Sequence, residues 1–102
     1  MIETIRKKVA ADQYRFTLHA LERMVERDIQ PDEIKTAISN GKIIEDYPQD
    51  KYGHSCLICG HCRPDKILHV QCSVDPVWVI TSYDPSNKPE KWDETYTKRR
   101  TS

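Results

Sequence analysis

The chain has 102 residues, with 16 Lys and Arg against 16 Asp and Glu, and therefore a formal charge of zero. This length suits one domain with its own core, and the charge balance excludes attraction of the whole molecule to nucleic acid or to an anionic membrane. A polyanion has to bind a local patch, and basic clusters lie at residues 6–8 and 98–100. The first residues lack the apolar segment of a signal peptide, and no stretch has membrane-spanning length. We therefore expect a single cytoplasmic domain, with a loosely specified tail from about residue 85.

Up to Gly41, apolar residues recur at helical spacing. Their pattern predicts a first helix over about residues 2–13 and a third helix from Pro31 to Gly41. Proline is tolerated in the first turn of a helix, and glycine commonly follows the last turn. Three apolar side chains are predicted to form the inner face of the third helix: Ile34, Ala37 and Ile38.

The second helix lies between Phe16 and Ile29 and is amphipathic, with Thr17 as its predicted N-cap. Five apolar side chains are predicted to face the core: Leu18, Ala20, Leu21, Met24 and Val25. The polar side carries a stripe at successive i, i+4 steps, formed by His19, Arg23 and Arg27. Imidazole moves protons near neutral pH and guanidinium pairs with phosphate oxygens, so the stripe indicates a phosphodiester target. The alternative is a solvated face whose arginines pair with the intervening glutamates.

After Gly41 the apolar period changes from 3.6 to 2. Four runs separated by turn sequences predict strands at residues 42–47, 55–60, 67–74 and 77–83. Helices followed by a meander of strands predict an α+β fold, with helices on one face of a roughly four-stranded antiparallel sheet and no strand before residue 40. Alternation along the strands predicts that His69 lies on the sheet face that the helices do not cover, and that Tyr83 shares this face. Such a pair suits acid chemistry, and the alternative is ordinary cross-strand packing.

Four cysteines raise the question of a metal. Cys56, Cys59 and Cys62 form C-x-x-C-x-x-C and Cys72 follows, so a zinc-binding module is one interpretation. If residues 55–60 form a strand, Cys56 and Cys59 project to opposite faces and cannot share one ion. We therefore expect no cofactor, with the zinc module kept as an alternative. Because the chain is expected to be cytoplasmic, we also expect no disulfide.

Several segments together resemble a known family. They cover about residues 14–85 and read F-T-L-H-A-L-E-R-M-V-E-R-D-I-Q-P-D-E-I, N-G-K-I-I-E-D-Y-P, D-K-Y-G-H-S-C-L-I-C-G, L-H-V and V-I-T-S-Y-D-P. They resemble a family of small prokaryotic proteins of unknown function that looks like a branch of the RelE-like toxins, in the barnase, EndoU and colicin ribonuclease fold group. The resemblance implies N-terminal helices followed by an antiparallel sheet, and a cognate antitoxin that often carries a zinc finger. The segment C-G-H-C-R-P-D-K departs from the family pattern, which indicates that the cysteines are peculiar to this chain.

With the resemblance added, we expect a metal-independent endoribonuclease that cleaves messenger RNA, on or off the ribosome, through attack by the 2′-hydroxyl. In this scheme His19 is the base and Arg23 a catalytic clamp on the phosphate, which Arg27 also binds. His69 or Tyr83 is the acid. The alternative is a non-catalytic module that binds a partner protein through the helix stripe.

Overall fold

The computed structural model describes residues 1–101. It contains three helices, five strands and two short 3₁₀ turns. The helices are α1 Ile2–Ala10, α2 Leu18–Arg27 and α3 Pro31–Asn40. The strands are β1 Arg15–Phe16, β2 Lys42–Tyr47, β3 Ser55–Arg63, β4 Lys66–Ser73 and β5 Trp78–Tyr83, and the 3₁₀ turns are Pro85–Asn87 and Pro89–Lys91. The predicted α+β class and the three helices are confirmed, although α1 ends at Ala10 and not near residue 13, because Asp12 adopts a positive φ of 59°.

The five strands form one mixed sheet in the order β1-β5-β4-β3-β2. Strands β2 to β5 pair antiparallel, as predicted. Strand β1 pairs parallel with β5, through Arg15 N to Val77 O at 3.1 Å and Thr17 N to Val79 O at 3.0 Å. The prediction of four antiparallel strands with no strand before residue 40 is therefore wrong. A strand of two residues is too short to show the alternation from which the other four were predicted.

Helix α3 packs tightly on the sheet. Ile34, Ala37 and Ile38 are fully buried, which confirms its predicted inner face. Gly41 and Gly60 allow the close approach, because a methyl group on Gly60 would overlap the carbonyl oxygen of Ala37 and lie 2.8 Å from the Cα of Gly41. The short side chains therefore set how closely the helix approaches β3.

Helix α2 has a side-chain cap at its N-terminal end and a left-handed residue at its C-terminal end. The hydroxyl oxygen of Thr17 accepts from Ala20 N at 3.0 Å, as expected of the predicted N-cap. Asp28 ends the helix in the left-handed conformation, with φ of 54°. The bounds predicted for α2 are thus confirmed.

The side of α2 that faces the core differs from the prediction. Ala20 and Met24 are buried, whereas three other apolar side chains are exposed by 72%, 43% and 83%: Leu18, Leu21 and Val25. The guanidinium of Arg27 donates to the carbonyl oxygen of Ser82 on β5 at 2.6 Å. Arg27, Ala20 and Met24 therefore lie on the side of the helix that faces the sheet, and most of the predicted apolar side faces solvent. The prediction that all five apolar residues face the core is wrong.

The chain after β5 covers the sheet face opposite the helices. Trp92 is only 2% exposed and forms a bridge with Arg99, so this segment has a fixed place on the sheet. The ring of Trp92 packs edge-on against that of His69, with centroids 4.4 Å apart. The face predicted to be uncovered is therefore covered, because Trp92 supplies the apolar anchor that a polar tail otherwise lacks.

The cysteines divide between the two faces of the sheet. Cys56, Cys62 and Cys72 lie in the core beneath the helices, while Cys59 pairs in register with His69 on the opposite face. The predicted separation of Cys56 from Cys59 is confirmed. All four thiols are buried and free. Within residues 1–101, no group of three or more His, Cys, Asp or Glu is placed to hold a metal ion, and no helix is long and apolar enough to cross a membrane.

Candidate functional site

His69 and Tyr83 form a hydrogen-bonded pair on adjacent strands. The register of β4 and β5 places them directly opposite each other, which confirms that they share a face. Nδ1 of His69 lies 3.2 Å from the Tyr83 hydroxyl, and Nε2 lies 2.7 Å from the carbonyl oxygen of Tyr96. With Trp92 beside it, the His69 ring is completely buried.

The hydrogen bonds fix which atoms carry protons. A carbonyl oxygen only accepts, so Nε2 of His69 donates to Tyr96 and Nδ1 accepts from the Tyr83 hydroxyl. Burial lowers the pKa of His69 despite the hydrogen bond to Tyr96, and burial raises the pKa of Tyr83. Both side chains are therefore neutral at neutral pH, and Tyr83 is a proton donor held in place by His69.

A cavity of about 360 Å³ opens beside Tyr83, between the end of α2, the end of β5 and the C-terminal segment. Nine residues line it: Arg27, Tyr83, Asp84, Pro85, Asn87, Lys88, Lys91, Trp92 and Arg99. Four of these carry a formal positive charge and one a negative charge, whereas the whole chain is neutral. Arg27, Lys88 and Lys91 form no ion pair within residues 1–101, so the cavity is a local anion-attracting site on a molecule without net charge.

Arg99 is held against the sheet by two interactions. Its Nε and Nη2 donate to the two carboxylate oxygens of Glu45 on β2, at 2.7 and 3.1 Å. Its guanidinium also lies over the ring of Trp92, 4.6 Å from the centroid. Although burial opposes it, hydrogen bonds from Arg99 and Tyr47 lower the pKa of Glu45, so this carboxylate is ionised at neutral pH. The ion pair with Glu45 therefore fixes the position of the Arg99 guanidinium in the cavity wall.

The structure brings together three of the predicted site residues. Arg27 and Tyr83 line the cavity, and His69 supports Tyr83 from behind. His19 is exposed and Arg23 forms an ion pair with Glu26, as in the alternative interpretation of the stripe, and neither lines the cavity. The catalytic roles assigned to His19 and Arg23 stay predictions.

Sequence reasoning missed the part of the site that follows β5. Asp84, Lys88 and Lys91 line the cavity, and Arg99 comes from the basic cluster at residues 98–100. The signal that could have found them is Trp92, a large apolar residue in a polar tail that has to bury its ring somewhere. Burial of the Trp92 ring on the sheet also brings Lys88, Lys91 and Arg99 to the cavity.

One comparison with known proteins gives a match. The model of the family described as Domain of unknown function (DUF4258) matches residues 16–84, more than half of the chain, so the protein belongs to this family. The match includes α2, the four antiparallel strands and the His69–Tyr83 pair, and it ends before the C-terminal lining of the cavity. No curated protein and no solved structure matches the chain significantly.

Proposed function

We propose that this protein is a metal-independent endoribonuclease, the toxin of a toxin–antitoxin pair, and that the cavity beside Tyr83 binds the scissile phosphodiester of messenger RNA. One observation carries the proposal. Four cationic side chains against a single carboxylate surround a cavity whose wall contains a protonated phenol. The sequence resemblance to RelE-like toxins supports the same chemistry.

The charges suit a phosphodiester. Guanidinium groups match phosphate oxygens geometrically, and lysine adds a compact positive charge. Arg27 and Arg99 are each held by a hydrogen bond to another element, through Ser82 O and Glu45 respectively. Cations that are fixed before the substrate binds stabilise the charge that develops on the phosphorane without reorganising. They provide the electrostatic part of catalysis.

RNA supplies its own nucleophile in this mechanism. Asp84, the one carboxylate in the lining, takes the proton of the 2′-hydroxyl, and the 2′-oxygen forms a bond to phosphorus. The bond from phosphorus to the 5′-oxygen breaks, and this oxygen takes the hydroxyl proton of Tyr83 after the hydroxyl has rotated from Nδ1 of His69 toward the cavity. The phenolate left behind is stabilised by the positive charges of Arg99 and Arg27, which oppose the effect of burial on the pKa of Tyr83. The products are a 2′,3′-cyclic phosphate and a 5′-hydroxyl.

Tyr83→Phe tests the proposed acid. It removes the transferable proton and keeps the ring packed against His69. We expect the cleavage rate of a single-stranded RNA reporter to fall by roughly 10²- to 10⁴-fold, the usual contribution of a positioned acid. Tyr52→Phe is the matched control, because Tyr52 is exposed and lies outside the cavity. RNA left intact by the wild-type protein, with and without ribosomes, contradicts the enzyme proposal and favours the non-catalytic module.

Two further variants decide which group is the base. Asp84→Asn and His19→Ala are compared on the same reporter. If Asp84 is the base, only Asp84→Asn loses cleavage; if the helix stripe supplies it, His19→Ala loses cleavage instead. His19 is exposed, so its substitution leaves no cavity in the core.

The toxin part of the proposal is tested in cells. Expression of the chain in bacteria is expected to stop growth, and co-expression of the gene adjacent to its own is expected to restore it. Tyr83→Phe, produced at the same level, should not inhibit growth. Growth inhibition by Tyr83→Phe would show that toxicity does not depend on RNA cleavage.

A further inference from the structure

The outer side of α2 carries an exposed apolar stripe. Leu18, Leu21 and Val25 form this stripe, at i, i+3 and i+7, and two of them are more than two thirds exposed. Only five large hydrophobic side chains of the described residues are exposed, and three of them are these. Scattered exposed apolar residues need no explanation, but a row on one helix face is typical of a protein contact.

Carboxylates border the apolar stripe. Successive helical residues are about 100° apart, which places Glu22 and Glu26 along one flank. Asp28 follows at the C-terminal end of the helix. The two arginines of α2 lie on the other side, where Arg27 donates to Ser82 O on the sheet and Arg23 pairs with Glu26. The border of the stripe therefore carries two carboxylates that form no ion pair within residues 1–101, those of Glu22 and Asp28.

We propose that the apolar stripe of α2 docks an amphipathic helix of a partner protein, one whose apolar residues are bordered by Lys and Arg. A helix laid against a helix face contacts residues at i, i+3 and i+7, the spacing of Leu18, Leu21 and Val25. Basic residues beside its apolar side would pair with Glu22 and Asp28, for which residues 1–101 provide no ion-pair partner. This inference does not depend on the enzymatic activity.

The acidic border argues against the other occupants. A second copy packed antiparallel on the stripe would bring Glu22 and Glu26 of both chains together, and like charges at an interface oppose association. An anionic membrane or a nucleic acid would be repelled by the same carboxylates; helices that lie on membranes carry Lys and Arg on the polar face instead. A basic helix is the complementary partner.

The test uses a synthetic peptide as probe. An amidated 18-residue helical peptide with Leu along one side and Lys and Arg flanking it is titrated into the full-length protein. The matched peptide has Glu at the flanking positions. We expect the basic peptide to bind at least about tenfold more tightly and to shift the backbone amide resonances of α2. Leu18→Gln combined with Val25→Gln should weaken its binding by about tenfold or more.

Two controls make the result specific. Both substituted side chains are exposed, so the thermal unfolding midpoint should stay unchanged, and Tyr52→Ser removes an exposed apolar residue that belongs to the β2–β3 connection and not to α2. Glu22→Lys combined with Glu26→Lys should reverse the preference toward the acidic peptide. The proposal is overturned if both peptides bind wild type equally or if the stripe variant binds as wild type does. It is also overturned if sedimentation reveals a dimer that Val25→Gln dissociates, or if phosphatidylserine vesicles bind in preference to the peptide.

Discussion

His69 and Tyr83 face each other across the β4–β5 pair with Nδ1 and the phenol oxygen 3.2 Å apart, but only Tyr83 reaches the cavity. The histidine is sealed by Trp92 and by the carbonyl oxygen of Tyr96. Its contribution to chemistry has to pass through the Tyr83 hydroxyl, which it orients. His69 is in this sense a positioning residue, and its burial also couples folding to pH.

We expect the stability of the protein to fall on mild acidification because of His69. Burial lowers the pKa of His69 from 6.5, so below that value the unfolded chain takes up a proton that the folded protein excludes. The His69 contribution is fully present above pH 6.5 and is lost as the pH falls toward the lowered pKa. Urea unfolding at pH 7.5 and 5.5 measures the difference. His69→Gln keeps a donor and an acceptor and should flatten this dependence.

His61→Gln is the control for that experiment, since His61 is exposed on β3. It should retain the wild-type difference between the two pH values. Glu33 and Glu45 have lowered pKa values, so they lose their contribution to stability only at more acidic pH. They therefore do not obscure the difference between pH 7.5 and 5.5. The same pH dependence in His69→Gln and wild type would show that another group is responsible.

Binding of RNA to the cavity is expected to weaken steeply with salt. Four cationic side chains line it, and each phosphate contact to a single strand contributes about 0.7 to the slope of log K against log salt. The slowly cleaving Tyr83→Phe variant should therefore give a slope of magnitude up to about 3 in fluorescence anisotropy titrations. Lys88→Gln combined with Lys91→Gln should reduce this by about 1.4. Lys51→Gln, outside the cavity, should leave it unchanged, and a slope insensitive to the lysine pair would place the RNA elsewhere.

How far the sequence predicted this fold depended on the length and burial of each element. Helix α3 and strands β2 to β5 are long enough to show a period, and the inner residues of α3 and β4 are buried as the period requires. Strand β1 has two residues and no period. Helix α2 has a clear apolar side, but periodicity says which residues share a side and not which side is covered. That orientation depends on long-range contacts, the burial of Ala20 and Met24 and the hydrogen bond from Arg27 to Ser82.

The site was predictable to the extent that it lies on regular elements. Alternation along β4 and β5 put His69 and Tyr83 on one face, and helical spacing selected Arg27. Lys88, Lys91 and Arg99 lie in a segment without regular strands or long helices, so no period relates them to the sheet. Their positions follow from the burial of Trp92, which depends on the assembled sheet.

Gly60→Ala should destabilise the protein through the packing of α3 on β3. The added methyl group overlaps the carbonyl oxygen of Ala37, which belongs to a helix and cannot move alone. Overpacking of this kind typically costs about 1–3 kcal/mol, measurable as a lower urea midpoint at unchanged slope. Gly53→Asn is the comparison, because Gly53 has open space around it and a φ of 81°, which asparagine tolerates better than most residues. Equal losses in the two variants would contradict the packing argument.

The protein should cleave RNA without a metal ion. The proposed mechanism uses the 2′-hydroxyl, Asp84 and Tyr83, so excess chelator should leave the rate unchanged and the product should end in a 2′,3′-cyclic phosphate. The cysteine arrangement leads to the same expectation, because Cys56 and Cys59 lie on opposite faces of the sheet. Elemental analysis of the purified protein should find no stoichiometric zinc, and Cys59→Ser should cleave as wild type does. One zinc per chain that is lost in Cys59→Ser would support the zinc-binding module instead, and a 3′-hydroxyl product in a chelator-sensitive reaction would require an external nucleophile.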